Sequence, residues 1–91
     1  RVLDAACGTG KYFPMVLASG RSLLGVDHAG ASLAIAVTKF PQVPTAKHDL
    51  QELPYQDQFH GVLCVDAMEF VPPEDWPAVL ERFRRALRSG G

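Results

Sequence analysis

At 91 residues the chain has room for at most one small domain, and 47% hydrophobic with 21% charged residues is a globular rather than a disordered composition. A net charge of -1 leaves no electrostatic footprint for nucleic acid or an anionic membrane, and no apolar run is long enough to span a bilayer. Cys7 and Cys64 are too far apart for a zinc or redox motif, and with no signal peptide they fit a reducing, cytoplasmic setting.

Taken in order, "VLD" to Asp4 is a short buried strand, followed by the small-residue turn "AACGTG". "KYFPMVLASG" reads as a helix with Pro14 tolerated in its first turn and Gly20 just past its end. "SLLGVD" is a second buried strand ending at Asp27. "GASLAIAVTKF" is a helix with Leu33, Val37 and Phe40 on one stripe, stopping before Pro41. "VPTAKHD" is a weak third strand, and Pro44 assigns it to an edge. "LQELPYQDQ" is a polar loop or single turn, and "FHGVLCVD" a fourth strand. "PPEDWPAVLERFRRALRS" is the clearest helix, with an apolar stripe of Trp76, Leu80, Phe83 and Leu87. Its arginines, Arg82, Arg84, Arg85 and Arg88, complement the helix dipole.

Strands alternating with helical segments imply one α/β unit over residues 1–91, a parallel sheet covered by helices on both faces. With no initiator Met, and with "LRSGG" stopping where a helix-to-strand turn should begin, the sequence reads as a partial domain. Its fourth strand is then expected to form an exposed edge.

In an open parallel sheet, ligands bind beyond the carboxyl ends of the strands. The turn Ala6-Cys7-Gly8-Thr9-Gly10 falls there, where glycines admit positive φ and let a ligand touch main chain. The helix after it offers free N–H groups to an anion. A phosphate-binding P-loop would need Gly at Ala5 and Ser or Thr at Tyr12. The dinucleotide pattern G-x-G-x-x-G starts at Gly8 and Gly10 but meets Phe13 at its third glycine.

Asp4-x-Ala6-x-Gly8-x-Gly10, "GVD" at Gly25 to Asp27, "HDLQELP" and "LRSGG" occur together and in order. This set resembles the class I S-adenosylmethionine-dependent methyltransferases, over essentially the whole chain. The resemblance implies a Rossmann-like, doubly wound sheet of about four strands in the order 3-2-1-4, a truncated three-layer sandwich. It also implies methyl transfer from S-adenosylmethionine to a small-molecule acceptor. Carried over, Ala6, Cys7, Gly8 and Gly10 would hold the methionine moiety, with Asp4 beneath them near its amino group. Asp27 would accept the ribose hydroxyls, with His28 beside it. Asp49 and the Leu50 N–H would meet the adenine, and Val65 and Asp66 would flank the methionine end. Ala6 replaces a family glycine, and Ala29 stands where relatives often have a serine cap.

Each assignment has a plainer competitor. Asp4 and Asp27 alone read as strand-end caps, Asp49 as a turn residue, and Cys7 as a space-filler. Cys64 and Trp76 read as core. The histidines His28, His48 and His60 read as solvated, and their spacing fits no metal motif. Glu69, just after strand four, is the one candidate for a proton acceptor or cation-binding group, with a surface role equally open. A nicotinamide-dependent oxidoreductase and a non-catalytic S-adenosylmethionine-binding module are the alternatives; nothing in the sequence speaks to oligomeric state.

Overall fold

The computed structural model describes residues 1–65 and 67–89. Four strands, β1 (Val2–Ala5), β2 (Leu23–Asp27), β3 (Thr45–Lys47) and β4 (Gly61–Leu63), form one parallel sheet in the order β3-β2-β1-β4. The expected order and direction are both borne out. Helix α1 (Phe13–Ala18) joins β1 to β2, and α2 (Gly30–Lys39) joins β2 to β3. Helix α3 (Trp76–Ala86) follows β4. Short 3₁₀ turns occupy Leu50–Glu52, Met68–Phe70 and Pro73–Asp75.

The central strands are apolar because both their faces are covered, as a parallel sheet requires. On one face Phe13 and Val16 of α1 and Leu33 and Ala36 of α2 pack with Leu23, Cys7 and Val43. On the other, Leu3, Ala5, Leu24 and Val26 meet Leu53, Phe59 and Ala86, with Phe83 against them.

Three side chains depart from the expected stripes. Val37 is 45% exposed, and α2 buries Ala36 instead, so its inner stripe is Leu33, Ala36 and the half-buried Phe40. Trp76 and Leu80 point outward; α3 buries Val79 and Ala86. The inward face of α3 runs through Val79, Phe83 and Ala86, at spacings of four and three, which leaves Leu80 on its flank, while the Trp76 indole turns to the carbonyls of Met68 and Val71. Trp76 is therefore not core. Cys64 is half-buried.

The fourth strand is shorter than the expected run from Phe59. Phe59 instead forms an isolated parallel bridge with Leu87, and the Arg88 N–H donates to its carbonyl at 2.7 Å. The chain leaving α3 thus already lies beside the start of β4.

Candidate functional site

The register of the sheet places Asp4 opposite Gly25 on one side and Leu63 on the other. Asp4 is only 1% exposed, and among the described residues its Oδ2 has no hydrogen-bond partner. Burial, reinforced by the nearby Asp27 charge, pushes Asp4 up to about 6.

Past Ala5 the chain keeps one more bond to β2, Cys7 N–H to the Val26 carbonyl at 2.8 Å, and then turns. The Gly10 N–H closes on the Cys7 carbonyl and the Phe13 N–H on the Gly10 carbonyl. Gly8 has φ +56 and nothing within 4 Å of where a Cβ would stand, so its outer side is open. Gly10, at φ +89, is different: a Cβ there would lie 2.9 Å from the Phe13 ring and 3.0 Å from that of Phe40. Its smallness serves packing.

The carboxylate of Asp27 joins this turn to the end of β2. Oδ2 accepts the Gly8 N–H at 2.8 Å and Oδ1 accepts the Ala29 N–H at 2.9 Å. The His28 ring stands 3.6 Å from Oδ1 and is largely exposed. Beyond β3, Asp49 Oδ1 accepts the Gln51 N–H at 2.8 Å, so the expected turn role is realised. The His48 ring meets Tyr55 edge-on at 5.7 Å.

These groups border one cleft of about 370 Å³ at the carboxyl ends of the strands. Its lining comes from three places: Ala5, Ala6 and Gly8 after β1; Val26, Asp27 and His28 at the end of β2 with His48, Asp49, Leu50 and Gln51 after β3; and Ala67, Phe70 and Val71 after β4. A second basin, about 560 Å³, lies around Asp57, Arg84, Arg85 and Arg88 at the amino end of β4. Arg84 there is already engaged by Glu81, Nε to Oε2 at 2.8 Å, and the basin has none of the strand-end main chain that a parallel sheet offers a ligand.

A methyltransferase-domain family model matches residues 2–91. The chain belongs to that family. It is 34% identical over 90 residues to a malonyl-[acyl-carrier protein] O-methyltransferase of Hamiltonella defensa, covering 99% of this chain and 34% of that protein. It is 31% identical over 100 residues to a ubiquinone biosynthesis O-methyltransferase of Pseudomonas aeruginosa, covering 100% of this chain and 41% of the relative. The solved structure of a TehB-like SAM-dependent methyltransferase from Corynebacterium glutamicum superposes with a TM-score of 0.88 at 25% identity, over 99% of this chain and 50% of that one. The chain thus spans roughly a third to two fifths of the curated relatives it matches.

In this methyltransferase domain, the cleft brings together Ala6, Gly8, Asp27, His28, Asp49 and Leu50 of the residues picked from sequence. Asp4, Cys7 and Gly10 lie beneath it, and Val65 is half-buried outside the lining. Asp66 lies outside the described residues. Glu69 is exposed and off the cleft wall, between residues that flank it. Cys7 is buried, and its thiol is pushed up to about 12 by burial and then by the charges of Asp4 and Asp27, which suits a filler and not a nucleophile. The start of α1 does not line the cleft, and the helix has only six residues, so the anion site expected at its N-terminus is absent from the wall. Sequence reasoning missed His48, Gln51, Ala67, Phe70 and Val71; a lone Phe after a strand carries no periodic signal that separates a cleft wall from core.

Proposed function

We propose that this methyltransferase domain binds S-adenosylmethionine in the cleft and passes its methyl group to a small-molecule acceptor. The observation that carries this reading is the Gly8 N–H bond to Asp27 Oδ2, which sets open main chain and a carboxylate side by side.

The residues fit that cofactor. Each Asp27 oxygen accepts one N–H and keeps a lone pair for a vicinal diol, as a ribose presents. His28 stands next to it. The open side of Gly8 admits close approach to the Ala6–Gly10 turn, with Cys7 and Gly10 packing it from below. Asp4, with one buried oxygen unpartnered, supplies negative charge under the end that would hold the amino group. Asp49 and the Leu50 N–H, on the cleft lining, would face the base. When bound, S-adenosylmethionine supplies a methyl already activated on a sulfonium. The domain's own task is then orientation and exclusion of water, so no dedicated acid or base is required unless the acceptor must lose a proton.

The relatives named for malonyl-[acyl-carrier protein] and for ubiquinone biosynthesis support a small-molecule acceptor, as does the net charge of -1. Two free thiols support a reducing, cytoplasmic setting. No helix among the described residues is long and apolar enough to cross a membrane. Calorimetric titration with S-adenosylhomocysteine tests binding, and a one-methylene gain in acceptor mass tests turnover. Binding of NADH without any binding of S-adenosylhomocysteine would overturn the reading.

A further inference from the structure

The stretches that line the cleft differ in chemistry. Those after β2 and β3 carry Asp27, His28, His48 and Asp49, whereas the 67–71 segment contributes Ala67, Phe70 and Val71. Phe70 is 81% exposed, a costly place for a large apolar ring that has nothing to cover.

That exposure is built into the fold. The Trp76 indole N–H is shared between two carbonyls on either side of Phe70, Met68 at 3.1 Å and Val71 at 2.8 Å. Within the turn the Phe70 N–H donates to the Ala67 carbonyl and the Val71 N–H to that of Met68, both at 3.0 Å. The backbone is thereby held on both sides of Phe70, and the ring stays on the rim. Gln51 Nε2 donates across to Asp75 Oδ2 at 3.4 Å, so the Trp76 side of the cleft is linked to its Asp49–Gln51 end.

We infer that Phe70 is the aromatic wall that covers the nucleobase of the bound cofactor, and that Trp76 is the positioning residue that holds it there. The inference rests on the cofactor reading above. A purine has two apolar faces and a polar edge: the Asp49–Leu50 side offers groups for the edge, and Phe70 offers the one large flat aromatic surface among the described residues of the lining that follow β4. Covering it removes two exposed apolar faces from water at once.

The test is calorimetry on the full chain with two separate probes, S-adenosylhomocysteine and adenosine. Phe70→Ala should weaken both by the same factor, roughly ten-fold or more by the scale of base–aromatic stacking, while the melting temperature without ligand is unchanged. Phe70→Tyr should retain affinity. Trp76→Phe, which keeps a ring but removes the N–H, should weaken both probes in the same direction. Trp76 is the single tryptophan, so its fluorescence should shift on adenosine binding in the wild type and less in Phe70→Ala. Normal adenosine binding by Phe70→Ala, or a loss confined to S-adenosylhomocysteine, overturns the nucleobase assignment. Wild-type affinity in Trp76→Phe overturns the positioning role. A wild type that binds neither probe overturns the cofactor reading and this inference with it.

Discussion

Phe13 fills the space that a side chain on Gly25 would need. A Cβ on Gly25 would stand 2.5 Å from the Phe13 ring tip and 3.1 Å from the Cys7 sulfur. In the dinucleotide pattern a small residue on the helix lets helix and strand approach. Here the large residue is on the helix and the small one on the strand, opposite the buried Asp4. Gly25→Ala should therefore destabilise the fold by about 1–3 kcal/mol through overpacking, and Phe13→Ala by about 3–5 kcal/mol through a cavity. Combining Gly25→Ala with Phe13→Leu should cost less than Gly25→Ala and Phe13→Leu measured singly and added together, because the sites touch. Urea midpoints of the three single variants and the double variant measure this, and strict additivity in the Gly25→Ala and Phe13→Leu cycle would show that the contact is not the cause.

Asp27 is expected to matter chiefly for the ligand. Asp27→Ala removes the acceptor for the Gly8 and Ala29 N–H groups and the two lone pairs left for a diol. S-adenosylhomocysteine affinity should fall by about 2–4 kcal/mol, the scale of lost charge-assisted hydrogen bonds. Asp27→Asn keeps only one carbonyl acceptor and should fall between. Calorimetric affinity unchanged in the alanine variant would exclude a diol at this carboxylate.

The parts of this molecule that were legible in the sequence are those where one local rule acts alone. The run "SLLGVD" ending at Asp27 reads as a buried strand, and α2 stops before Pro41. Gly8 and Asp27 were legible as partners only because the turn and the second strand end lie at the same end of any parallel sheet. Ala36 was hidden behind Val37, because a helical stripe read at i+4 overlooks a small residue at i+3 that lets the helix sit close to the sheet. Trp76 departs from the stripe for another reason: its indole N–H is drawn to the Met68 and Val71 carbonyls of the segment after β4, a long-range contact that helical spacing does not encode. Phe70 belongs to no repeat at all, and its place on the cleft wall depends on a hydrogen bond from six residues further along the chain.

Cys7 should be inert in the folded domain. Its burial and the charges of Asp4 and Asp27 hold the thiol near 12, so little thiolate exists at neutral pH. Alkylation by iodoacetamide at pH 8 should label Cys7 only as fast as the domain opens, and denaturant should release it. Cys7→Ala should leave S-adenosylhomocysteine binding nearly unchanged. Rapid labelling of the native domain at Cys7 would contradict the packing described for the turn.

Asp4 makes the pH dependence of the domain run opposite to that of a paired carboxylate. Its folded value of about 6 lies above the ordinary 3.8, so the folded state holds the proton more tightly. Its contribution is fully present below about pH 4 and is lost as pH rises to about 6, where the charge must be carried unpaired. The loss is on the order of 2–3 kcal/mol from a shift of this size. Asp4→Asn, neutral and of the same shape, should be flat across that window and more stable than the wild type at pH 7.5. A cationic amino group bound above the turn reverses the preference, since it favours the ionised carboxyl. S-adenosylhomocysteine affinity should therefore rise with pH up to about 6 and then level off, with proton release on binding below that point. Calorimetry in buffers of different ionisation enthalpy counts those protons directly. An Asp4→Asn variant that keeps the same pH profile of binding would show that the linked proton sits elsewhere.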